Sequence, residues 1–285
     1  MEQLGHTAHY WDIEQQPRGM VAEQIIKVKP DLLISLWQHA LEDEQLWNAI
    51  TLACKKKAFW WVDYNHHADQ LPHDELDAVL VSNKVQAAWF EEQWDVPRDR
   101  YHYLPDGCYQ FPSYESVITA PCEKPEVLFI GTTNDVTHKR RTDLIRAAAR
   151  IAHVSIKCTQ NWQERQKADE WQPSMYQKAT INLSISLVND VPGYTSTRLF
   201  DIASCGGFIL AEWFPGCEEL FEPNKEVVYF DGPDELQRMI LRYRDRPEER
   251  AAIGRAAFDR CQKEHLMKHR VARIIQAVES PRVGV

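Results

Sequence analysis

Residues 195–212 read TSTRLFDIASCGGFILAE. The stretch brings hydroxyl groups, a cation and a carboxylate onto what reads as one short helix followed by a buried strand. Thr195 or Ser196 can cap the helix, because a hydroxyl there accepts a free backbone N–H of the first turn. Leu199, Ile202 and Ala203 make its buried side, and Gly206 ends it in a left-handed conformation. Asp is a poor residue in the middle of a helix, so Asp201 needs a reason. Arg198 and Asp201 are three apart and point the same way; a weak surface ion pair is one reading. The other is chemical. A helix N-terminus offers free N–H groups and a positive dipole end to a phosphate, and a carboxylate one turn on accepts hydrogen bonds from a ribose diol. Thr195, Ser196, Thr197, Arg198 and Asp201 would then hold a nucleoside diphosphate at both ends.

A second set follows the apolar run EVLFIG. In GTTNDVTHKRR, Gly131 lets the backbone approach a ligand closely, with Thr132 beside it. Arg140, with Lys139 or Arg141 nearby, is placed to neutralise a departing diphosphate, a task suited to a fixed cation. The alternative is a solvated basic helix start. In the first half, WQH (37–39) and VDYNHHAD (62–69) each follow an apolar run. Asp63, His66 and His39 are candidate bases for deprotonating an acceptor hydroxyl, against the ordinary alternative of loop residues. Asp63, His66 and Arg140 form the expected catalytic set. Trp37, Trp60 and Trp61 could stack on sugars, although such residues are more often core. HLMKH (265–269) puts two His at i and i+4 on one helix face, without a third ligand, so no metal is expected. The sequence has no GxxxxGK loop, no GxGxxG and no GxSxG elbow, which weighs against a P-loop NTPase, a NAD-binding Rossmann enzyme and an α/β-hydrolase.

These residues need strands and helices to position them. Apolar runs occur at 8–11, 31–37, 58–62, 77–82 and 100–104, then at 126–131, 153–158, 179–186, 207–212 and 226–230. Helical patterns such as RRTDLIRAAARIA and DELQRMILRYR lie between them. Continuous apolar runs alternating with helices predict α/β units with parallel sheets, buried on both faces. The Pro-, Ser- and Tyr-rich segment LPDGCYQFPSYESVITAPCEKPE (104–126) reads as interdomain. The expected organisation is an N-terminal domain over 1–110, a linker over 111–125, a C-terminal domain over 126–262 and a terminal helix over 263–285. The chain opens on the last turn of a helix, a Gly5 stop and a strand, so the N-terminal domain is expected to lack its first strand–helix unit.

Composition narrows the partners. A net charge of −9 argues against nucleic acid or an anionic membrane surface as partner. No run approaches the ~18 apolar residues of a bilayer span, and the N-terminus lacks a signal-peptide pattern. The seven cysteines include no CxxC pair, as in a reduced protein. A cytoplasmic location is the expectation.

The stretch TSTRLFDIASCGGFILAEWFPGCEELFEPNKEVVYFDGPDELQRMI resembles the C-terminal half of GT-B glycosyltransferases, most closely the spore-maturation-type group, similar to group 1 (GT4-like) enzymes. It carries an R-x-F-E-like Arg198, Phe200 and Asp201, then Ala203, Gly206 and Gly207, Glu219-Leu220-Phe221, and Asp231, Glu235 and Leu236. His265 and Arg270 resemble the family's His-x-x-x-x-Arg, and LPDG (104–107) its Pro-Asn-Gly turn. The resemblance implies two Rossmann-like domains, with Asp201 on the donor ribose in place of the usual Glu. Retaining members carry a Glu eight residues earlier, where this chain has Gly193. The expectation is a metal-independent glycosyltransferase without a cofactor. It would move a sugar from a nucleoside-diphosphate sugar to a hydroxyl of a glycan, lipid-linked or protein acceptor. The alternatives are a nucleotide-sugar-binding relative without turnover and a sugar-nucleotide epimerase of the same fold.

Overall fold

Short runs of Val, Ile, Leu and Phe, bounded by polar turns, form parallel strands here, and the central ones, such as Ala78–Val81, Val127–Ile130 and Ile181–Ser184, are buried on both faces. The computed structural model describes residues 4–13, 15–36, 43–61, 75–86, 88, 92, 100–108, 110–111, 113–117, 123–158 and 162–280. It divides into two units, Met1–Pro105 with Lys268–Val285, and Asp106–Met267.

The first unit holds α1 (Arg18–Val28), β1 (Leu32–Ser35), α2 (Glu44–Ala53), β2 (Lys56–Trp61), β3 (Ala78–Val81) and β4 (Tyr101–Tyr103). Its sheet runs β1-β2-β3-β4, all parallel. Asp43 caps α2 by accepting the Leu46 N–H at 2.8 Å. Val21, Ala22 and Ile25 of α1 and Leu46, Ala49 and Ile50 of α2 pack with Phe59, Trp61, Val79 and Val81. Trp60 lies with Ala78, Leu80 and Leu104 in a second cluster closed by Ile274 and Val278, and its Nε1–H donates to the Leu104 carbonyl at 3.2 Å. Trp60 and Trp61 are thus core residues. The expected strand at 8–11 does not form: residues 6–12 have no regular structure.

The second unit holds β5 (Val127–Ile130), α3 (Lys139–Ala149), β6 (Val154–Lys157), α4 (Trp162–Lys178), β7 (Ile181–Ser184), α5 (Arg198–Ser204), β8 (Ile209–Glu212), β9 (Val228–Phe230), α6 (Gly232–Arg244) and α7 (Pro247–Arg260). Its parallel sheet runs β6-β5-β7-β8-β9. α8 (Met267–Glu279) begins at the edge of this unit, and its residues from Lys268 onward belong to the first. The division therefore falls at Pro105–Asp106 and again at Met267–Lys268, not at 110 and 262. The reason is packing. Val117 is fully buried, and Phe111 and Tyr114 pack on the core of the second unit.

Gly206 shows how tight that packing is. It has φ +70°, and a Cβ there would overlap the Tyr114 ring, which meets Phe258 edge-on at 5.6 Å.

Candidate functional site

In an open parallel sheet, ligands bind beyond the carboxyl ends of the strands where the order reverses. Here that point lies between β5 and β7, because β5 is followed in sequence by β6 on one side and then by β7 on the other. Arg198 sits there. Its Nε–H donates to the carbonyl of Ile130, the last residue of β5, at 2.5 Å. Its Nη1 donates to the Ile185 carbonyl just beyond β7 at 3.1 Å and to Ser196 Oγ at 3.0 Å. The guanidinium lies over the Phe129 ring, 4.6 Å from its centre. Gly131 makes this possible: at φ +155°, a Cβ would overlap Arg198 Nη2.

Two more guanidinium groups converge on the same edge from the start of α3. Arg141 is buried, donates from Nη1 to the Thr132 carbonyl at 2.9 Å and lies 5.8 Å from the Phe129 ring centre. Burial, followed by the charge of Arg198, pushes its pKa down to about 10. Burial likewise lowers that of Arg198. Arg140 donates from Nη2 to the carbonyls of Ser186 and Leu187 at 3.0 and 3.2 Å. Its Nη1 pairs with Glu212, the last residue of β8. Arg141 thus feels the charges of both Arg198 and Arg140, while Glu212 offsets them mainly through Arg140, and a doubly charged anion would be attracted to this edge. Lys139, the other basic neighbour, is turned outward onto Asp143.

The hydroxyl residues are placed differently from the sequence expectation. α5 begins at Arg198, so neither Thr195 nor Ser196 caps it; Thr197 holds the cap position without a side-chain cap bond. Thr197 Oγ1 instead donates to Asp106 Oδ2 at 2.8 Å. The Ser196 N–H donates to Ser186 Oγ at 3.0 Å, and Thr195 Oγ1 lies 3.4 Å from the same oxygen. Long-range partners, Asp106 and Ser186, select the helix start here. The question posed by Asp201 changes accordingly: it stands in the first turn, where a negative charge is favoured. It is half-buried. Its charge adds to burial in raising the pKa of the Tyr176 hydroxyl and the Cys205 thiol.

Gly131, Thr132, Arg140, Thr195, Ser196, Thr197, Arg198 and Asp201 therefore lie on loops and helix starts at one edge of one sheet. Asp63, His66, His39 and Trp37 lie outside the described residues. Glu212 and Ser186 were not singled out by sequence, and Asp106 stood out only as part of the LPDG turn; Glu212 carried one signal, an acidic residue closing an apolar strand. The His pair of HLMKH does not share a helix face. His265 ends a π-helical turn, Leu266 is extended with ψ 152°, and the His265 ring is buried against Phe200 and Phe221 with Nε2 2.9 Å from the Leu220 carbonyl. Among the described residues no group of three His, Cys, Asp or Glu is arranged to hold a metal.

Residues 140–276 match the family described as Glycosyl transferase-like. The fold is that of GT-B glycosyltransferases. A TarM mutant from S. aureus, solved with fondaparinux, alpha-GlcNAc-glycerol and UDP, superposes with a TM-score of 0.63 at 12% identity, covering 92% of this chain and 58% of that one. HepE from Anabaena, solved with UDP and glucose, gives 0.59 at 14% identity, covering 93% and 84%. The pneumococcal O-GlcNAc transferase GtfA, solved with UDP and GlcNAc, gives 0.52 at 13% identity, covering 91% and 59%. The chain thus spans less than two thirds of the TarM and GtfA chains it resembles. No curated protein matches the chain.

Proposed function

We propose that the chain binds a nucleoside-diphosphate sugar at the carboxyl edge of the five-stranded sheet and transfers the sugar to a hydroxyl acceptor. The observation that carries this reading is the convergence of Arg140, Arg141 and Arg198 on the switch point between β5 and β7. Arg141 is buried and donates to a carbonyl; a buried cation is costly unless an anion joins it, and a diphosphate supplies that anion. In this reading Arg140 and Arg141 meet the diphosphate as it departs, where fixed positive charge lowers the barrier. Arg198 holds the Gly131–Thr132 turn against the ligand. Asp201 accepts the ribose diol. UDP in the structures of TarM, HepE and GtfA supports a nucleotide ligand of this kind. Charge stabilisation by arginine makes a metal and a resident cofactor unnecessary. The acceptor is a glycan, a lipid-linked sugar or a protein, and its base is proposed among Asp63, His66 and His39. We place the reaction in the cytoplasm; no described helix is long and apolar enough to cross a membrane.

The test is release of nucleoside diphosphate from UDP-, GDP-, dTDP- and ADP-sugars with hydroxyl acceptors present. The expected result is acceptor-dependent release with one donor, weakened by Asp201→Ala through KM. Conversion of the donor sugar with no acceptor present would replace transfer by epimerisation, and inertness of every donor would overturn the reading.

A further inference from the structure

Glu212 closes β8, a strand whose other residues, Ile209, Leu210 and Ala211, are buried and apolar. Its side chain is 5% exposed. Oε1 pairs with Arg140 and accepts the Asn189 amide at 3.2 Å. Oε2 is buried and has no hydrogen-bond partner among the described residues. Burial holds the carboxyl above its ordinary range in spite of the adjacent Arg140. A desolvated carboxylate with one oxygen unpaired destabilises a fold, so packing gives no reason for it. Arg140 is the exposed partner, at 34%. Arg141 is buried, and Arg198 is bonded to the carbonyls of Ile130 and Ile185 at the ends of β5 and β7. Arg140 is thus a partly exposed cation held by Glu212 and by the Ser186 and Leu187 carbonyls.

We propose that Glu212 is a positioning residue that competes with the donor diphosphate for Arg140. The inference rests on the diphosphate site proposed above. Without ligand the carboxylate holds Arg140 beside the Ser186 and Leu187 carbonyls. An arriving diphosphate draws the guanidinium away, and after transfer Glu212 reclaims it, so that the nucleoside diphosphate leaves. The carboxylate thus weakens binding of both donor and product, and its removal strengthens binding. A purely structural role predicts the reverse.

Calorimetric titration of the full chain with UDP, GDP, dTDP and ADP tests this in four proteins: the parent, Glu212→Gln, Arg140→Met and the double variant. Gln keeps the shape and an acceptor for Arg140 but removes the charge. For the nucleotide that binds the parent, E212Q is expected to tighten Kd about fivefold, the difference between a charged and a neutral hydrogen-bond partner. In the Arg140→Met background the same change should have no effect. Glu212→Asp, which draws the carboxylate back by one methylene, should move affinity in the same direction by less, and it serves if E212Q fails to fold. Unchanged or weaker binding by the Glu212 variants, or tightening that persists without Arg140, would overturn the competition while leaving the diphosphate site standing. Absence of binding by every nucleotide to every variant would overturn both.

Discussion

Gly131→Ala is the perturbation whose effect can be worked out most fully. A Cβ at this position would overlap Arg198 Nη2 and lie 3.2 Å from Phe129 Cζ, at a φ of +155°. The Phe129 ring is fully buried and cannot retreat, so the guanidinium must. Arg198 then lengthens or loses at least one of its bonds to Ile130, Ile185 and Ser196. A hydrogen bond to a charged group contributes about 1.5–3 kcal/mol, and the strained backbone adds about 1 kcal/mol. The total is about 3 kcal/mol. For a unit of this size each kcal/mol moves Tm by about 2–4 °C, so a loss of about 10 °C is expected in calorimetry. The double variant separates the causes. With Arg198→Met already present, Gly131→Ala should cost only the backbone strain of about 1 kcal/mol, leaving an interaction of about 2 kcal/mol between the two sites. A Tm within 2 °C of the parent, or strictly additive losses, would refute the claim that Gly131 exists to admit Arg198.

Gly206→Ala should destabilise the second unit by about 2–3 kcal/mol, from a left-handed backbone and displacement of the Tyr114 ring from Phe258; denaturant titration measures it, and Tyr114→Ala should restore part of the loss. Stability should also depend on pH through Glu212. Its folded carboxyl is raised above the ordinary 4.5, so the folded state binds the proton more tightly than the unfolded one. Its contribution is full below that value and is lost as pH rises through the folded pKa. Melting curves across the mildly acidic range should show this decline in the parent and not in Glu212→Gln.

Most strands were legible in the sequence because burial on both faces leaves continuous apolar runs, as in VLFI and ILAE. The run at 8–11 misled because apolar residues alone do not supply a hydrogen-bonding neighbour. The placement of the candidate residues at one sheet edge was legible too, since the strand ends at Gly131 and the TSTR segment fall at the carboxyl edge of any right-handed α/β unit. The helix start was not. Thr195, Ser196 and Thr197 have similar capping ability, and the choice is made by Ser186 and Asp106, ten and ninety-one residues away. Glu212 left only the signal of an acidic residue closing an apolar strand, because pairing with Arg140 across the sheet leaves no local pattern. The segment 111–125 read as a linker from its Pro and Ser content, yet Tyr114 and Val117 pack on the second unit, a contact that only the approach of Gly206 reveals.

The central claim is that the carboxyl edge of the five-stranded sheet binds a nucleoside diphosphate. The most direct measurement is a thermal-shift titration of the purified chain with UDP, GDP, dTDP, ADP and CMP, since a ligand of the folded state alone raises Tm by mass action. The account predicts a concentration-dependent rise with one nucleoside diphosphate, little or none with CMP, and a smaller rise in Asp201→Ala. A cooperative melt that none of the five displaces would contradict it.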